Sequence, residues 1–377
     1  MLSEESQEDV RMCAACPKLC RHACPTFISW RSDSPTPHGR ALLIHQHVTG
    51  TRSLDERGIE VLYQCLECSN CLTWCLPEID IADIVEKVRV ELVDEKRYPP
   101  ALDSMVDAVL TDHNPFGEPH SKRNDWLESK EDGKERVIYF TGCTAVYRER
   151  EIAEATVDLL SHLHYDVIIT DEEWCCASPL FRTGFRNEAL EQAEHNAEIL
   201  NAIDASVIVV TCPGCYKALS LDYAEQGLEI NKPVQHISQF LSENMDEIDI
   251  EMTDTSLTYH DPCHLGRHMG IYEEPRQALN AVSSNGIHEM ERNRDDSLCC
   301  GNGAGLRTLF PDHAGNIGQE RVSEAARTGA DVLVTACPFC KNMLARQAGE
   351  AIQVLDLPEV VLKAMNSSSD SRKAKRD

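Results

Sequence analysis

One cysteine arrangement, present twice, sets the tightest limit on how this 377-residue chain can fold. The first copy runs Cys143, Cys175-Cys176 and Cys212-Pro213-Gly214-Cys215. The second runs Cys263, Cys299-Cys300 and Cys337-Pro338-Phe339-Cys340. Between the lone cysteine and the pair lie 31 residues in the first copy and 35 in the second; between the pair and the C-x-x-C lie 35 and 36. Corresponding cysteines stand 120, 124 and 125 residues apart. A period of that length predicts two similar lobes, not a solenoid, whose repeats are far shorter. Five cysteines brought from three separate loops exceed what a tetrahedral zinc site uses. They suit an iron–sulfur centre, for which thiolates are the usual ligands.

Eight further cysteines precede the repeat. The first run is Cys13-x-x-Cys16-x-x-x-Cys20-x-x-x-Cys24-Pro25, and the second is Cys65-x-x-Cys68-x-x-Cys71-x-x-x-Cys75-Leu76-Pro77. With them all 18 cysteines fall into motifs, and none is left over as a core thiol. The second run has the bacterial ferredoxin spacing for a cubane [4Fe–4S] cluster, whose fourth cysteine serves the other cluster in two-cluster ferredoxins. That rule groups Cys13, Cys16, Cys20 and Cys75 as one cubane set and Cys65, Cys68, Cys71 and Cys24 as the other. The first run carries one extra residue between its second and third cysteines, and Leu76 separates Cys75 from its proline. Two four-cysteine zinc knuckles are the alternative for this stretch. The 40 residues between the runs are too many for a compact βαβ-type ferredoxin and predict a helical one.

Composition removes several function classes. A net charge of −27 argues against nucleic acid or an anionic membrane surface as partner, although acidity also serves solubility alone. No apolar run reaches the roughly 18 residues of a membrane span. A disulfide framework would imply secretion, and the polar opening Met1-Leu2-Ser3-Glu4-Glu5 does not read as a signal peptide. The expectation is a cytoplasmic protein.

Residues 10–97 are expected to form the helical ferredoxin-like domain, with helix over 38–63 and an amphipathic helix over 79–97 from Ile79, Ile81, Ile84, Val85, Val88 and Leu92. Residues 98–135 read as a linker. The first lobe, 136–250, opens on the strand Val137-Ile138-Tyr139-Phe140 and continues with helix 149–163, strand Val167-Ile168-Ile169, helix 185–203 and strand Val207-Ile208-Val209-Val210. The second, 251–365, repeats the plan: Leu257-Thr258-Tyr259-His260, helix 273–283, a strand near 287–291, a long helix to about 327, and Asp331-Val332-Leu333-Val334. Alternating strands and helices predict α/β lobes with parallel sheets and the cysteines just past strand ends, where open α/β sheets place their sites. Residues 366–377 are expected to be a disordered tail. The fold class is thus a helical two-cluster ferredoxin domain followed by two α/β lobes related by internal duplication.

Gly301-Asn302-Gly303-Ala304-Gly305 invites a dinucleotide reading, but it follows a cysteine pair instead of a strand, so the reading fails on context. The glycines are expected to let backbone approach sulfides or a substrate closely. His260, His264 and His268 flank Cys263; they read as core or hydrogen-bonding histidines, or as a proton donor near the second site.

The double pattern resembles the CCG-domain proteins, with His260-Asp261-Pro262-Cys263-His264-Leu265-Gly266-Arg267 strengthening the likeness. Two ferredoxin motifs ahead of two CCG motifs resemble the D subunits of heterodisulfide reductase in particular, a ferredoxin domain fused to a double CCG domain like that of the B subunits. Ala177 stands where the first copy would have the glycine that gives the motif its name. The resemblance implies two noncubane [4Fe–4S] clusters beside the two cubane ones. One would rest on Cys143, Cys175, Cys176, Cys212 and Cys215, the other on Cys263, Cys299, Cys300, Cys337 and Cys340. It further implies that these ten cysteines are the catalytic set, cleaving the disulfide between coenzyme M and coenzyme B, or a related one, by one-electron steps. The same family contains iron–sulfur subunits of glycolate oxidase and anaerobic glycerol-3-phosphate dehydrogenase. An electron-transfer component of a flavin dehydrogenase feeding a quinone is therefore the second reading, and a scaffold or sensor without turnover the third. The chain has no flavin or nicotinamide signature of its own, so a membrane b-type cytochrome or a flavoprotein subunit is expected as electron partner in a hetero-oligomer. The protein would then sit at the inner face of the membrane if that partner is membrane-bound.

Overall fold

The computed structural model describes residues 2–127, 129, 133 and 135–374, with side chains to residue 366. Strands β1 (Glu135–Phe140), β2 (Tyr165–Ile168), β3 (Val207–Val210) and β4 (Val234–His236) form one parallel sheet in the order β2-β1-β3-β4. Strands β5 (Leu257–His260), β6 (Val332–Thr335) and β7 (Gln353–Asp356) form a second parallel sheet in the order β5-β6-β7. An isolated bridge pairs Leu257 with Ile287, so Ile287 stands beside β5 as β2 stands beside β1. The duplication expected from the cysteine spacing is therefore repeated in strand order. The strand expected near 287–291 is reduced to that one bridge. The edge strands β4 and β7 had no counterpart in the sequence reading.

The central strands explain themselves. All four residues of β3 and of β6 are buried, as a parallel sheet covered on both faces demands. Successive side chains point to opposite faces. Ile138, Phe140, Ile208 and Val210 pack into one core with the N-terminal helices. Val137, Tyr139, Val207 and Val209 pack into another with Leu257, Tyr259, Val332 and Val334 of the second lobe. Leu333 and Val354 share a third core with Leu66 of the N-terminal region. Each of the three regions is thus held against the other two by apolar packing.

The N-terminal region is helical, with helices Glu4–Ala15, Pro37–Val48, Glu56–Tyr63, Ile81–Asp94 and Asp103–Asp112. Four have polar side-chain caps: Ser3 accepts from Ser6 N at 3.2 Å, Thr36 from Gly39 N at 3.2 Å, Asp55 from Gly58 N at 2.8 Å and Asp80 from Ala82 N at 2.9 Å. The apolar stripe Ile81, Ile84, Val85, Val88 and Leu92 is buried, and Arg89 is buried with it. Within the stretch read as a linker, 98–135, Leu102, Val106 and Val109 lie in the same core as Leu180 and Phe181. The last helix, Leu357–Ala374, runs through most of the stretch expected to be a disordered tail; residues 375–377 lie outside the described residues.

Candidate metal centres

In the first lobe, β1 ends at Phe140 and Cys143 opens the helix Cys143–Arg148. Gly142 between them has φ 71°, and a Cβ there would come within 3.1 Å of Cys215 Sγ. A glycine is needed for the Cys212–Cys215 turn to approach this closely. Cys175 and Cys176 come from the loop after β2, where Cys175 N donates to His113 O at 2.9 Å. Pro213 stands at the first turn of its helix, where its missing N–H costs nothing. The Cys175 thiol is within hydrogen-bond reach of Cys143 and Cys176, Cys176 reaches Cys215, and Cys215 reaches Cys212. The five thiols therefore form one group. Cys175 and Cys215 pull Cys176 down to about 5, while Cys143 and then Cys176 push Cys175, and Cys176 and then Cys212 push Cys215, well above the usual thiol range.

A buried cation stands beside this group. Arg123 Nη1 lies 4.0 Å from Cys143 Sγ, and Nη2 donates to Thr141 Oγ1 at 3.2 Å and to Glu173. Glu173 in turn accepts from the backbone N–H of Thr141 and Gly142, both at 2.9 Å. A buried ion pair thus fixes the loop that presents Cys143.

The second lobe builds the same group. Cys299 reaches Cys263 and Cys300, Cys300 reaches Cys340, and Cys340 reaches Cys337. Cys337 N donates to Asp356 Oδ2 at 2.9 Å, so the unforeseen strand β7 positions this turn. Gly301 has φ 92°, and a Cβ there would collide with the Ala314 carbonyl, while one on Gly303 would stand 3.2 Å from Leu66 O. Gly301 and Gly303 thereby allow backbone to pack closely on backbone.

The three histidines separate in role. His260 is fully buried, and one of its ring nitrogens, Cys300 Sγ and Cys340 Sγ all lie within 4.8 Å of one another. Its Nδ1 accepts from Arg321 Nε at 3.0 Å. His264 and His268 meet edge to face at 4.5 Å, and His268 Nε2 donates to Glu67 O at 2.9 Å. Burial, then Lys217 and Arg182, hold His268 down to about 3. It is neutral near pH 7 and serves as a hydrogen-bond donor.

The N-terminal thiols fall into two groups. Burial, then Cys20, Cys16 and Cys75, push Cys13 up to about 12. Burial, then Cys65, Cys24 and Cys68, push Cys71 well up. A cavity of about 20 Å³ is walled by Cys24, Cys65, Cys68 and Cys71 together with Arg40. Cys20 also feels Cys24, and Cys71 feels Cys20, so the two groups adjoin. Burial works against the charge on Arg40, but the thiols of Cys65 and Cys24 hold its guanidinium above its usual value.

Two contacts join the groups. Cys68 lies within hydrogen-bond reach of Cys299, and Cys212 of the first lobe within reach of Cys337 of the second. Arg267 fastens the first junction, with Nε donating to Cys68 O at 2.5 Å and Nη1 to Ser297 O at 2.7 Å.

The donor set fits iron–sulfur clusters. Four or five buried thiols within reach of one another cannot all lose their protons without a cation, because each added charge raises the next thiol. A metal centre supplies that cation and deprotonates its thiols outright. None of the 18 cysteines is joined in a disulfide. Arg40, Arg123 and Arg321 escaped the sequence reading. Apart from Glu324, three residues from Arg321, their partners lie far away in the chain, and an isolated arginine carries no local signal of burial.

The family model of a cysteine-rich domain, CCG, matches residues 137–220 and 257–345. The D subunit of dihydromethanophenazine:CoB–CoM heterodisulfide reductase from Methanosarcina barkeri is 34% identical, over 95% of this chain and 94% of its own length. The B subunit of a fumarate reductase (CoM/CoB) from Methanothermobacter marburgensis is 30% identical over 80% of this chain and 61% of its own. An EtfAB:quinone oxidoreductase from Syntrophomonas wolfei is 30% identical over 82% of this chain and 47% of its own. A hypothetical protein from Helicobacter pylori matches in structure with a TM-score of 0.61 over 97% of this chain and 73% of its own, at 11% identity, and so shares the fold.

Proposed function

This chain belongs to the family of heterodisulfide reductase D subunits, and we propose that, as an iron–sulfur oxidoreductase component, it reductively cleaves a small-molecule disulfide held between its two lobes. The observation that carries this reading is that Cys212 and Cys337 stand near enough across the lobe boundary to shift one another's protonation, so that the two five-thiol groups adjoin. Cys143, Cys175, Cys176, Cys212 and Cys215 would hold one noncubane [4Fe–4S] cluster and Cys263, Cys299, Cys300, Cys337 and Cys340 the other. Cys13, Cys16, Cys20 and Cys75, and Cys24, Cys65, Cys68 and Cys71, would hold two cubane clusters. When bound, such clusters supply one-electron transfer, and a disulfide needs two electrons.

The chain's own residues do the rest. Cys212 and Cys263 are half-exposed while the other eight thiols of the lobes are buried, so these two mark the side from which a substrate sulfur could approach. Arg123 and Glu173 hold the Cys143 loop, and Asp356 holds the Cys337 turn. The heterodisulfide of coenzymes M and B is the proposed substrate, in line with the relative from M. barkeri. The electron partner would be a separate polypeptide, a membrane b-type cytochrome or a flavoprotein. Among the described residues no helix is long and apolar enough to cross a membrane. A second reading, electron transfer for a flavin dehydrogenase, is favoured by the likeness to the EtfAB:quinone oxidoreductase.

Anaerobically purified protein tests the proposal. Expected are about sixteen irons per chain, four clusters of four, and oxidation of a reduced viologen on addition of the mixed coenzyme disulfide. An iron content near eight with bound zinc would remove the noncubane pair. Co-purification with a flavoprotein and no disulfide turnover would favour the second reading.

A further inference from the structure

In a chain with 63 acidic and 36 basic side chains, Arg89, Arg123, Arg182 and Arg321 each have a carboxylate partner. Arg307 departs from this pattern. It is half-buried, and its Nη1 donates to Asn342 Oδ1 at 2.9 Å and, weakly, to Asn302 Oδ1 at 3.5 Å. Among the described residues no carboxylate pairs with it. Both amides are held in turn: Asn302 Nδ2 donates to Phe339 O at 2.7 Å, and Asn342 Nδ2 to Glu149 Oε1 at 2.7 Å. Asn302 stands two residues after Cys300, and Asn342 two residues after Cys340. The guanidinium is thus seated on the two loops that carry the second lobe's thiols.

We propose that Arg307 reads an oxyanion on the substrate, a sulfonate, carboxylate or phosphate borne by the thiol half that meets the second lobe's thiol group. This rests on the disulfide reading above and adds a residue that sets specificity. A guanidinium with one nitrogen fixed by amides and the others unengaged is preorganised for a planar or tetrahedral anion. Arg148 and Arg346 lie near enough to add to the positive field. Burial, then Arg346 and Arg148, pull Arg307 below the usual guanidinium value, so a bound anion would relieve a repulsion already present.

Calorimetric titration of the iron-loaded protein with 2-mercaptoethanesulfonate, 3-mercaptopropionate and neutral 2-mercaptoethanol tests this. Either anionic thiol should bind wild type roughly tenfold or more tightly than the neutral one, the size of a charge-assisted hydrogen bond. Arg307→Gln should erase that preference and leave 2-mercaptoethanol binding unchanged; Arg307→Lys should keep part of it. The inference is overturned if Arg307→Gln keeps the preference, or if both variants weaken all three thiols equally, as a merely structural residue would. If wild type binds the neutral thiol as tightly as the anionic ones, Arg307 loses its role and the disulfide reading stands. If wild type binds no thiol, the disulfide reading fails and the inference falls with it.

Discussion

Cys68 of the N-terminal region and Cys299 of the second lobe stand near enough to shift one another's protonation, and Cys299 is the main cause that draws Cys68 down to about 6. This joins the N-terminal thiols to the second lobe directly. The first lobe is reached only one contact later, through Cys337 and Cys212. The two lobes are alike in strand order and thiol grouping but not in their place along this line.

The Cys68–Cys299 contact is clamped by backbone hydrogen bonds, and Arg267 makes three of them: to Cys68 O, Asp295 O at 3.0 Å and Ser297 O. Arg267→Met keeps the length of the side chain and leaves Cys68 O without its donor, while Ser297 O and Asp295 O keep only the longer bonds from Asn70 Nδ2 at 3.3 Å and Thr73 Oγ1 at 3.2 Å. An unsatisfied buried carbonyl costs about 1–3 kcal/mol. Faster amide exchange over residues 65–71 and 295–299, with iron content near that of wild type, is the expected result. Exchange unchanged in both segments would show that apolar packing alone holds the junction.

Arg89 ties the cysteine loop to both lobes. It donates to Glu67 Oε1 at 2.5 Å, to the carbonyls of Leu62 and Cys65 at 2.8 Å each, and to Arg182 O of the first lobe at 2.7 Å. Arg89 is fully buried and Glu67 is 2% exposed. Removing one partner of a buried pair costs about 3–5 kcal/mol because the other charge is stranded. Arg89→Met should lower the stability to denaturant by that much, and Arg89→Met with Glu67→Gln should recover part of the loss. A double variant no better than the single one would contradict pairing as the cause.

Cys176 and Cys300 occupy equivalent places, each second in its pair and each reaching the last cysteine of its own C-x-x-C. Cys176→Ala and Cys300→Ala should each lower iron from about sixteen to about twelve per chain and abolish disulfide cleavage. The spectra assigned to the N-terminal cubanes should survive. Cleavage retained in both variants would contradict the proposed thiol roles.

What could be read in the sequence follows physical rules. Val207–Val210 and Leu257–His260 are four-residue apolar or β-branched runs ending just before a cysteine, and both strands stand where those runs predict. The edge strands Val234–His236 and Gln353–Asp356 are short and partly polar, because an edge needs no apolar residue on every position, and they left no periodic signal. The doubled cysteine-rich pattern was legible because spacing carries it. Arg123 with Glu173 was not, since each is an ordinary charged residue until the fold buries the pair. The burial of Leu102, Val106 and Val109 was hidden for a related reason: they gain their meaning only against Leu180 and Phe181.

The residue after each cysteine pair offers a test of why the copies differ. Ala177 has φ 65° and Gly301 has φ 92°, so both lie in the left-handed region. That conformation costs a non-glycine residue roughly 1–2 kcal/mol. Ala177 carries its Cβ in a fully buried position, so the first lobe accommodates the methyl and bears only the backbone strain. Gly301 has no such room, because its Cβ would strike the Ala314 carbonyl and stand 3.2 Å from Ile317 Cβ. The two exchanges should therefore differ sharply in cost. Ala177→Gly should be close to neutral, the relief of about 1 kcal/mol of strain being offset by lost packing and by glycine's greater freedom when unfolded. Gly301→Ala should cost about 3 kcal/mol or more, strain and collision acting together, and should reduce iron at the second lobe's thiols. Denaturation midpoints and iron content of the two variants decide it. A mild Gly301→Ala beside a damaging Ala177→Gly would show that the difference between the copies does not come from the space around this residue.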